Sequence, residues 1–194
     1  MLSAMPGPII VRPYRYVVTD YGAVGDGVTD NLAIFNAAMD DMQNHADGTV
    51  LFVPPGTYGL SNALQLRAGI SIVGASKTTS KLLWLPAFSQ NPAIVRADSV
   101  SNCGLRTLTV TLQDLTVATS LLLIGGICSN LLFDSLSLLG ASTVDGVIVT
   151  TVGGSSNTLS NTLVQAAVAC PYLAVNLQQG VLTQTSVTKV NYAG

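Results

Sequence analysis

The sequence predicts an all-β fold, a short parallel β-helix in which short strands coil into a solenoid, with one capping α-helix near the N-terminus. Three observations predict it: a turn–helix–strand module between Val17 and Tyr58, repeated strand segments after residue 92, and few tight-hairpin signals. A β-sandwich also consists of short strands and turns and is the alternative. The repeat period favours the solenoid.

The segment 1–16 is predicted to form an extended N-terminal arm, because Pro6, Pro8 and Pro13 disfavour both helices and paired strands. Two interpretations stay open, a loose terminus and an arm that docks on a neighbouring subunit. In the second, the anchors would be apolar and aromatic residues: Ile9, Ile10, Val11, Tyr14 and Tyr16. No basic segment followed by an apolar one is present there, so we expect no secretory signal.

The remaining residues, 17–194, are enough for a single β-helix domain with a sizeable core. We divide it into a cap module (17–58) and coils (59–194). The cap module begins with a glycine-rich turn, whose Gly-x-x-Gly-x-Gly spacing is not a phosphate-binding fingerprint. Its polar residues and glycines are therefore interpreted as turn and helix-cap residues: Asp20, Gly22, Gly25, Asp26 and Gly27, with Thr29 or Asp30 supplying the capping oxygen.

An amphipathic helix is predicted after this turn. Apolar residues recur at steps of three and four and form one face, namely Leu32, Phe35, Met39 and Met42, widened by Ile34 and Ala38. Asp40 and Asp41 are adjacent and so point in different directions on a helix, which argues against a catalytic pair. His45 falls where the helix should end, an ordinary place for such a residue, and we assign it no catalytic role.

Two β-rich runs follow the helix, at residues 49–53 and 69–74. The first ends at Pro54, Pro55 and Gly56, which must turn the chain. We count these three residues as structural parts of the cap.

Four segments after residue 92 resemble one another, beginning at Ala93, Leu121, Val147 and Leu173. Each has an apolar strand, a turn of small or polar residues and an alternating strand. Equivalent turns are marked by Asn102, Asn130 and Asn157, which recur at nearly equal intervals. This period, with two or three short strands in each, predicts a parallel solenoid of about five coils.

The composition points to assembly. Hydrophobic residues make up 48% of the chain and charged residues only 9%, and all ten acids are Asp. So little charge favours burial against copies of the chain or a larger assembly. A net charge of −2 and the lack of a long apolar run argue against nucleic-acid and membrane partners. Cys103, Cys128 and Cys170 are interpreted as buried free thiols.

Three blocks of the sequence, in order, resemble the start of pectate-lyase-like right-handed β-helix proteins, a family that includes bacteriophage tailspikes and polysaccharide depolymerases. The blocks are DYGAVGDGVTDN from Asp20, GTVLFVPPGTY from Gly48 and GISIVG from Gly69. The resemblance implies a right-handed β-helix in which this motif forms the cap. Asn31 stands where the family often has a second Asp, a difference that we do not expect to disturb the cap.

The resemblance implies a fold rather than an activity. Glycoside hydrolysis usually needs two carboxylates at a set separation. Asp114 and Asp145 are the candidates, since their separation in the sequence is close to one coil and they could stack on neighbouring coils. Surface Asp is commoner, so we assign no catalytic residue, no metal site and no cofactor. Trp84 is the candidate for stacking on a sugar ring, although its apolar neighbours favour a core or interface position.

Two functional hypotheses remain. The first is a non-enzymatic bacteriophage structural protein: a trimeric β-helix, made in the host cytoplasm, that decorates or cements the capsid or forms part of the tail. Its partners would be its own copies and other virion proteins, contacted through the N-terminal arm. The alternative is a small tailspike-type polysaccharide depolymerase or a module that binds a host surface glycan.

Overall fold

The computed structural model describes the chain from Tyr16 onward with several gaps. The described residues are 16–45, 49–85, 93–112, 120–139, 145–150, 158–160, 163–169, 175–178, 181–183, 186–187 and 191–192, with side chains up to residue 139. The turn at Asn157 and most of the N-terminal arm lie outside these residues.

The described residues begin with the cap that the sequence predicts. It comprises β1 (Tyr16–Val17), a short 3-10 helix (Val18–Tyr21), β2 (Asp26–Asp30) and the helix α1 (Leu32–His45). The apolar side of α1 is buried as predicted, through Phe35, Ala38, Met39 and Met42. Among the described residues, no helix is both long and apolar enough to cross a membrane.

Short strands then follow in coils. The second and third coils contain β3 (Val50–Val53), β4 (Gly56–Leu60), β5 (Leu64–Gln65), β6 (Ser71–Gly74), β7 (Ser80–Trp84) and β8 (Ala93–Asp98). The fourth and fifth contain β9 (Gly104–Arg106), β10 (Thr109–Leu112), β11 (Ser120–Gly125), β12 (Cys128–Ser129), β13 (Leu132–Leu139) and β14 (Asp145–Thr150). The last are β15 (Thr158–Ser160), β16 (Leu163–Ala169), β17 (Val175–Gln178), β18 (Val181–Thr183), β19 (Ser186–Val187) and β20 (Asn191–Tyr192).

The strands stack in parallel into three faces and a short corner sheet. The first face runs β1-β3-β6-β9-β13, the second β2-β4-β7-β10-β13 and the third β5-β8-β11-β14-β17, while β12, β15 and β18 form the corner sheet. β16 continues both of the first two faces, followed by β19 on the first. Seven described strands therefore stack on the first face, more than the five coils expected. The arrangement confirms the predicted all-β, right-handed parallel β-helix with an N-terminal helix.

The predicted repeats are confirmed by the third face, where β8, β11, β14 and β17 are consecutive neighbours. On the first face, Leu51, Ile72, Leu105 and Phe133 lie in register, and all four are buried. Apolar side chains of successive coils thus stack on one another along the core axis. Burial of each large apolar side chain contributes about 1.5–3 kcal/mol.

Tyr16, which would be an anchor on another subunit in one of the two interpretations of the arm, lies within its own domain. It lies in β1, pairs with Leu51 of β3 and is buried in this chain. Its side chain belongs to the main hydrophobic core cluster, so backbone pairing and core packing both tie it to its own domain.

Candidate functional site

The glycine-rich turn is held together by the carboxylate of Asp26. Its Oδ1 accepts hydrogen bonds from the backbone N–H groups of Val28 (2.9 Å) and Thr29 (2.8 Å), and its Oδ2 accepts one from the Thr29 hydroxyl (2.7 Å). The backbone hydrogen bond from Thr29 is the largest of the contributions that lower the pKa of Asp26. The ionised carboxylate of Asp26 therefore stabilises the turn.

Asp30, one of the two predicted capping residues, starts α1. Its Oδ1 accepts hydrogen bonds from the backbone N–H of Leu32 (3.0 Å), the first helical residue, and of Ser61 (3.1 Å) in the next coil. Partial burial opposes ionisation, but the hydrogen bonds from Ser61 and Leu32 outweigh it and lower the pKa of Asp30. Thr29, the other candidate, bonds to Asp26 instead.

Asn31 is a cap residue whose role the sequence did not predict. Its side chain is only 1% exposed. Its Nδ2 donates to the carbonyl oxygens of Val24 (3.0 Å) and Thr29 (2.8 Å), and its Oδ1 accepts from the N–H of Val24 (2.7 Å). In the sequence, only its position at the end of the glycine-rich block, directly before the helix, indicates such a role.

The glycines of the cap allow close approach between the turn and the strand after Pro55. A Cβ on Gly25 would lie 2.9 Å from the Cα of Gly56, so neither position has room for a side chain. Gly22 and Gly27 have φ values of 93° and 80°, which glycine adopts at little cost. The turn at Pro54 and Pro55 is held by a further contact, in which the carbonyl oxygen of Pro54 accepts a hydrogen bond from the Ser80 hydroxyl (3.1 Å).

Asp20 is exposed and lies in the first turn of the 3-10 helix. The neighbouring Tyr21 donates its hydroxyl hydrogen to Oδ2 of Asp41 at 2.5 Å. Burial and this hydrogen bond raise the pKa of Tyr21. Oδ1 of Asp41 lies 3.0 Å from Nδ1 of His45 within α1, so the Tyr21 hydrogen bond is the contact that ties α1 to the turn.

A polar corner, which we define as Ser101, Asn102, Ser129 and Asn130, lies between the third and first faces. The Ser129 hydroxyl donates to the Ser101 hydroxyl oxygen at 2.8 Å, and Nδ2 of Asn130 donates to Oδ1 of Asn102 at 2.9 Å. The predicted equivalence of Asn102 and Asn130 is thereby confirmed.

The backbone register extends this row. Ser160 pairs with Ser129, and Thr183 pairs with Ser160. Hydroxyl-bearing residues therefore occupy one register position on successive coils, about 4.8 Å apart.

Three arginine side chains lie close to aspartates. Arg67 contacts Asp40 at 2.7 Å, Arg96 contacts Asp98 at 3.1 Å, and Arg106 lies 3.8 Å from Asp134. Within the part of the chain whose side chains are described, no group of three or more His, Cys, Asp or Glu could hold a metal ion.

The two candidate catalytic residues are not brought together by the described residues. Asp145 begins β14, where its backbone pairs with Ser120 of β11. Asp114 lies outside the described residues, as does the side chain of Asp145. A catalytic role for this pair stays a prediction.

Trp84 does not lie on the surface. It is 0% exposed and belongs to the core cluster, in register with Leu60 and Leu112 on the second face. Its ring cannot stack on a sugar, because alternation along β7 points it inward. The core position that its apolar neighbours favoured is the one observed.

Comparison with known proteins places this geometry in a family. The sequence profile described as rhamnogalacturonase A/epimerase, pectate lyase-like, matches residues 15–191. A probable rhamnogalacturonase C of Aspergillus flavus is 46% identical over 75 residues, which are 36% of this chain and 16% of that protein. The mannuronan C5-epimerase AlgE1 of Azotobacter vinelandii is 33% identical over 106 residues, which are 49% of this chain and 8% of that protein.

The fold also occurs in a virus. The structure of the pre-mature gene product 12 of bacteriophage phi29 matches 87% of this chain and 33% of its own, with a TM-score of 0.57 and 16% identity. The chain thus spans only a small part of the length of its curated relatives. Because the family profile covers nearly all of its residues, the chain belongs to the rhamnogalacturonase A/epimerase, pectate lyase-like family.

Proposed function

We propose that this chain is a non-enzymatic bacteriophage structural protein, a homotrimeric β-helix of the virion that decorates or cements the capsid or forms part of the tail. Its cap closes one end of the column, and its weakly charged sides pack between subunits. The part of the predicted N-terminal arm that precedes β1, residues 1–15, contributes contacts to other virion proteins. The fold shared with the phi29 protein supports this proposal.

The observation that carries the proposal is the set of contacts that the aspartate carboxylates make. Within the part of the chain whose side chains are described, each aspartate has a contact of its own: Asp20, Asp26, Asp30, Asp40, Asp41, Asp98 and Asp134. Asp26 and Asp30 have lowered pKa values, whereas the general acid of a glycosidase needs a raised one. These contacts and pKa shifts support a structural role for the aspartates.

Purified virions and the purified chain test this function. We expect mass spectrometry to find the protein in virions, and light scattering to give three times the chain mass. A variant without residues 1–15 should keep the trimer and lose its binding to particles that lack the protein. A stable monomer with no affinity for virion proteins would contradict the proposal.

The second candidate is a polysaccharide depolymerase or glycan-binding module, and the polar corner favours it. Its hydroxyl and amide groups could bind sugar hydroxyls, and two relatives are named for mannuronan and rhamnogalacturonan chemistry.

A binding and cleavage screen on acidic polysaccharides separates the two. Loss of binding in Ser129→Ala, but not in Asp40→Asn, would favour the glycan-binding module. Cleavage abolished by Asp114→Asn or Asp145→Asn would establish the depolymerase and overturn the non-enzymatic function.

A further inference from the structure

The first coil has an exposed strand edge. Among the described residues, β2 pairs with β4 alone and ends the second face. Val28 at its centre is 73% exposed, and the nearby Val24 is 46% exposed. An edge strand with a bare apolar side chain is a template for pairing with another strand.

The backbone donors of this edge are nevertheless occupied. The N–H groups of Val28 and Thr29 both bond to the same oxygen of Asp26. Successive N–H groups point to opposite sides of a regular strand, so β2 must bend to direct both at one carboxylate. Its register with β4 is correspondingly irregular: Asp26 pairs with Thr57 and Asp30 with Gly59.

We propose that Asp26 prevents the outer edge of β2 from pairing with β2 of a second copy of this chain. The partner is a second copy because an antiparallel pair centred on Val28 is self-complementary, with one Val28 facing the other across a two-fold axis. In that pair Asp26 would lie opposite Asp30 of the second copy. Like charges in opposed positions destabilise paired strands, so the charge adds to a block that the hydrogen bonds to the side-chain oxygen already impose.

Two substitutions of Asp26 separate these contributions, with oligomeric mass measured by light scattering. Asp26→Ala removes the acceptor, and we expect a species of twice the wild-type mass. Asp26→Asn removes the charge but keeps an acceptor oxygen, and we expect the wild-type mass. Asp40→Ala, which removes another aspartate of the cap module, is the matched control and should also keep the wild-type mass.

Substitutions of Val28 locate the contact. In the Asp26→Ala background, Val28→Lys should restore the wild-type mass, because it places two charges at the centre of the pair. Val28→Cys in the same background should give a disulfide-linked dimer under oxidation, which the parent variant should not form.

The proposal fails if folded Asp26→Ala keeps the wild-type mass, if Asp26→Asn doubles its mass equally, or if Val28→Lys leaves the doubled species unchanged. Should Asp26→Ala not fold, hydrogen exchange in the wild type decides. Slow exchange of the Val28 and Thr29 amides supports the block, and exchange at the rate of an unstructured peptide overturns it.

Discussion

The side chain of Asn31 stabilises the cap through three hydrogen bonds to the backbone. Its amide donates to two carbonyl oxygens and accepts from one N–H, while almost no part of it contacts solvent. A carboxylate at this position could accept from Val24 but could not donate to Val24 or Thr29. The Asp that the family often has here would therefore not make the same contacts, and the expectation that Asn31 does not disturb the cap is confirmed.

We predict that Asn31→Asp destabilises the fold by about 2 kcal/mol at neutral pH, because the carbonyl oxygens of Val24 and Thr29 lose their donor and a carboxylate replaces a buried amide. Urea unfolding followed by circular dichroism measures this change. Asn36→Asp makes the same chemical change on the partly exposed surface of α1 and should leave the unfolding midpoint nearly unchanged. Equal effects of the two substitutions would contradict the role of Asn31.

Asp26 should make stability depend on pH. Its pKa in the folded chain lies below the unfolded value of about 3.9. The ionised carboxylate therefore stabilises the fold above that value, and the contribution is lost as the pH falls through the folded pKa. We expect the urea midpoint of Asp26→Asn to fall less than that of the wild type between pH 6 and pH 3. Parallel curves would show that Asp26 contributes nothing to acid sensitivity.

Residue-level roles were only partly predictable from the sequence. The capping oxygen of Asp30 follows from residue type and position, since Asp before an apolar helical pattern commonly caps a helix. The contacts of Asn31 depend on how the turn folds back over it, and those of Ser61 with Asp30 depend on the stacking of the next coil. Neither can be read from local spacing.

At the scale of elements, the backbone conformation of the corners repeats from coil to coil, as the strands do. Asn102 and Asn130 have φ values of 56° and 54°, and Thr107 and Ser135, which are likewise separated by one coil, have 51° and 55°. These left-handed residues turn the chain between faces. The conformation costs about 1–2 kcal/mol for most residues and less for Asn.

Substitutions at Asn130 should divide its contribution into two parts. Asn130→Ala loses both the tolerance of a positive φ and the hydrogen bond to Asn102, and we expect a loss of about 1–2 kcal/mol. Asn130→Gly restores the backbone freedom and should cost less. If Asn102→Ala and Asn130→Ala prove strictly additive in a double-mutant cycle, the amide pair adds no coupling.

Elements were predicted where a pattern repeats along the chain. The helix follows from apolar steps of three and four, and the third face from segments that recur about once per coil. The junction of the first two faces through β13 was not predicted. It depends on Ser135, whose left-handed backbone lets one strand contribute residues to β9 on one side of the corner and to β10 on the other.

For the molecule as a whole, the buried thiols report on global unfolding. Burial, together with the nearby Cys128, raises the pKa of Cys103 to about 12, and burial also raises the pKa of Cys128. With Cys170→Ser, which removes the thiol outside the described residues, we expect neither cysteine to react with a disulfide reagent at pH 8 until urea unfolds the chain. Rapid labelling in native buffer would mean that the column opens locally.

The uniform stacking of the strands also bears on how the chain folds. From β3 onward, each strand of the first face pairs with the strand one coil earlier in the chain, as Ile72 does with Leu51 and Leu105 with Ile72. Every new coil can thus pack on a surface that is already complete, beginning from the cap, which is synthesised before the coils. We expect the coils to fold one after another during synthesis, each packing on the previous one, with the Asp26 turn and α1 as the starting point.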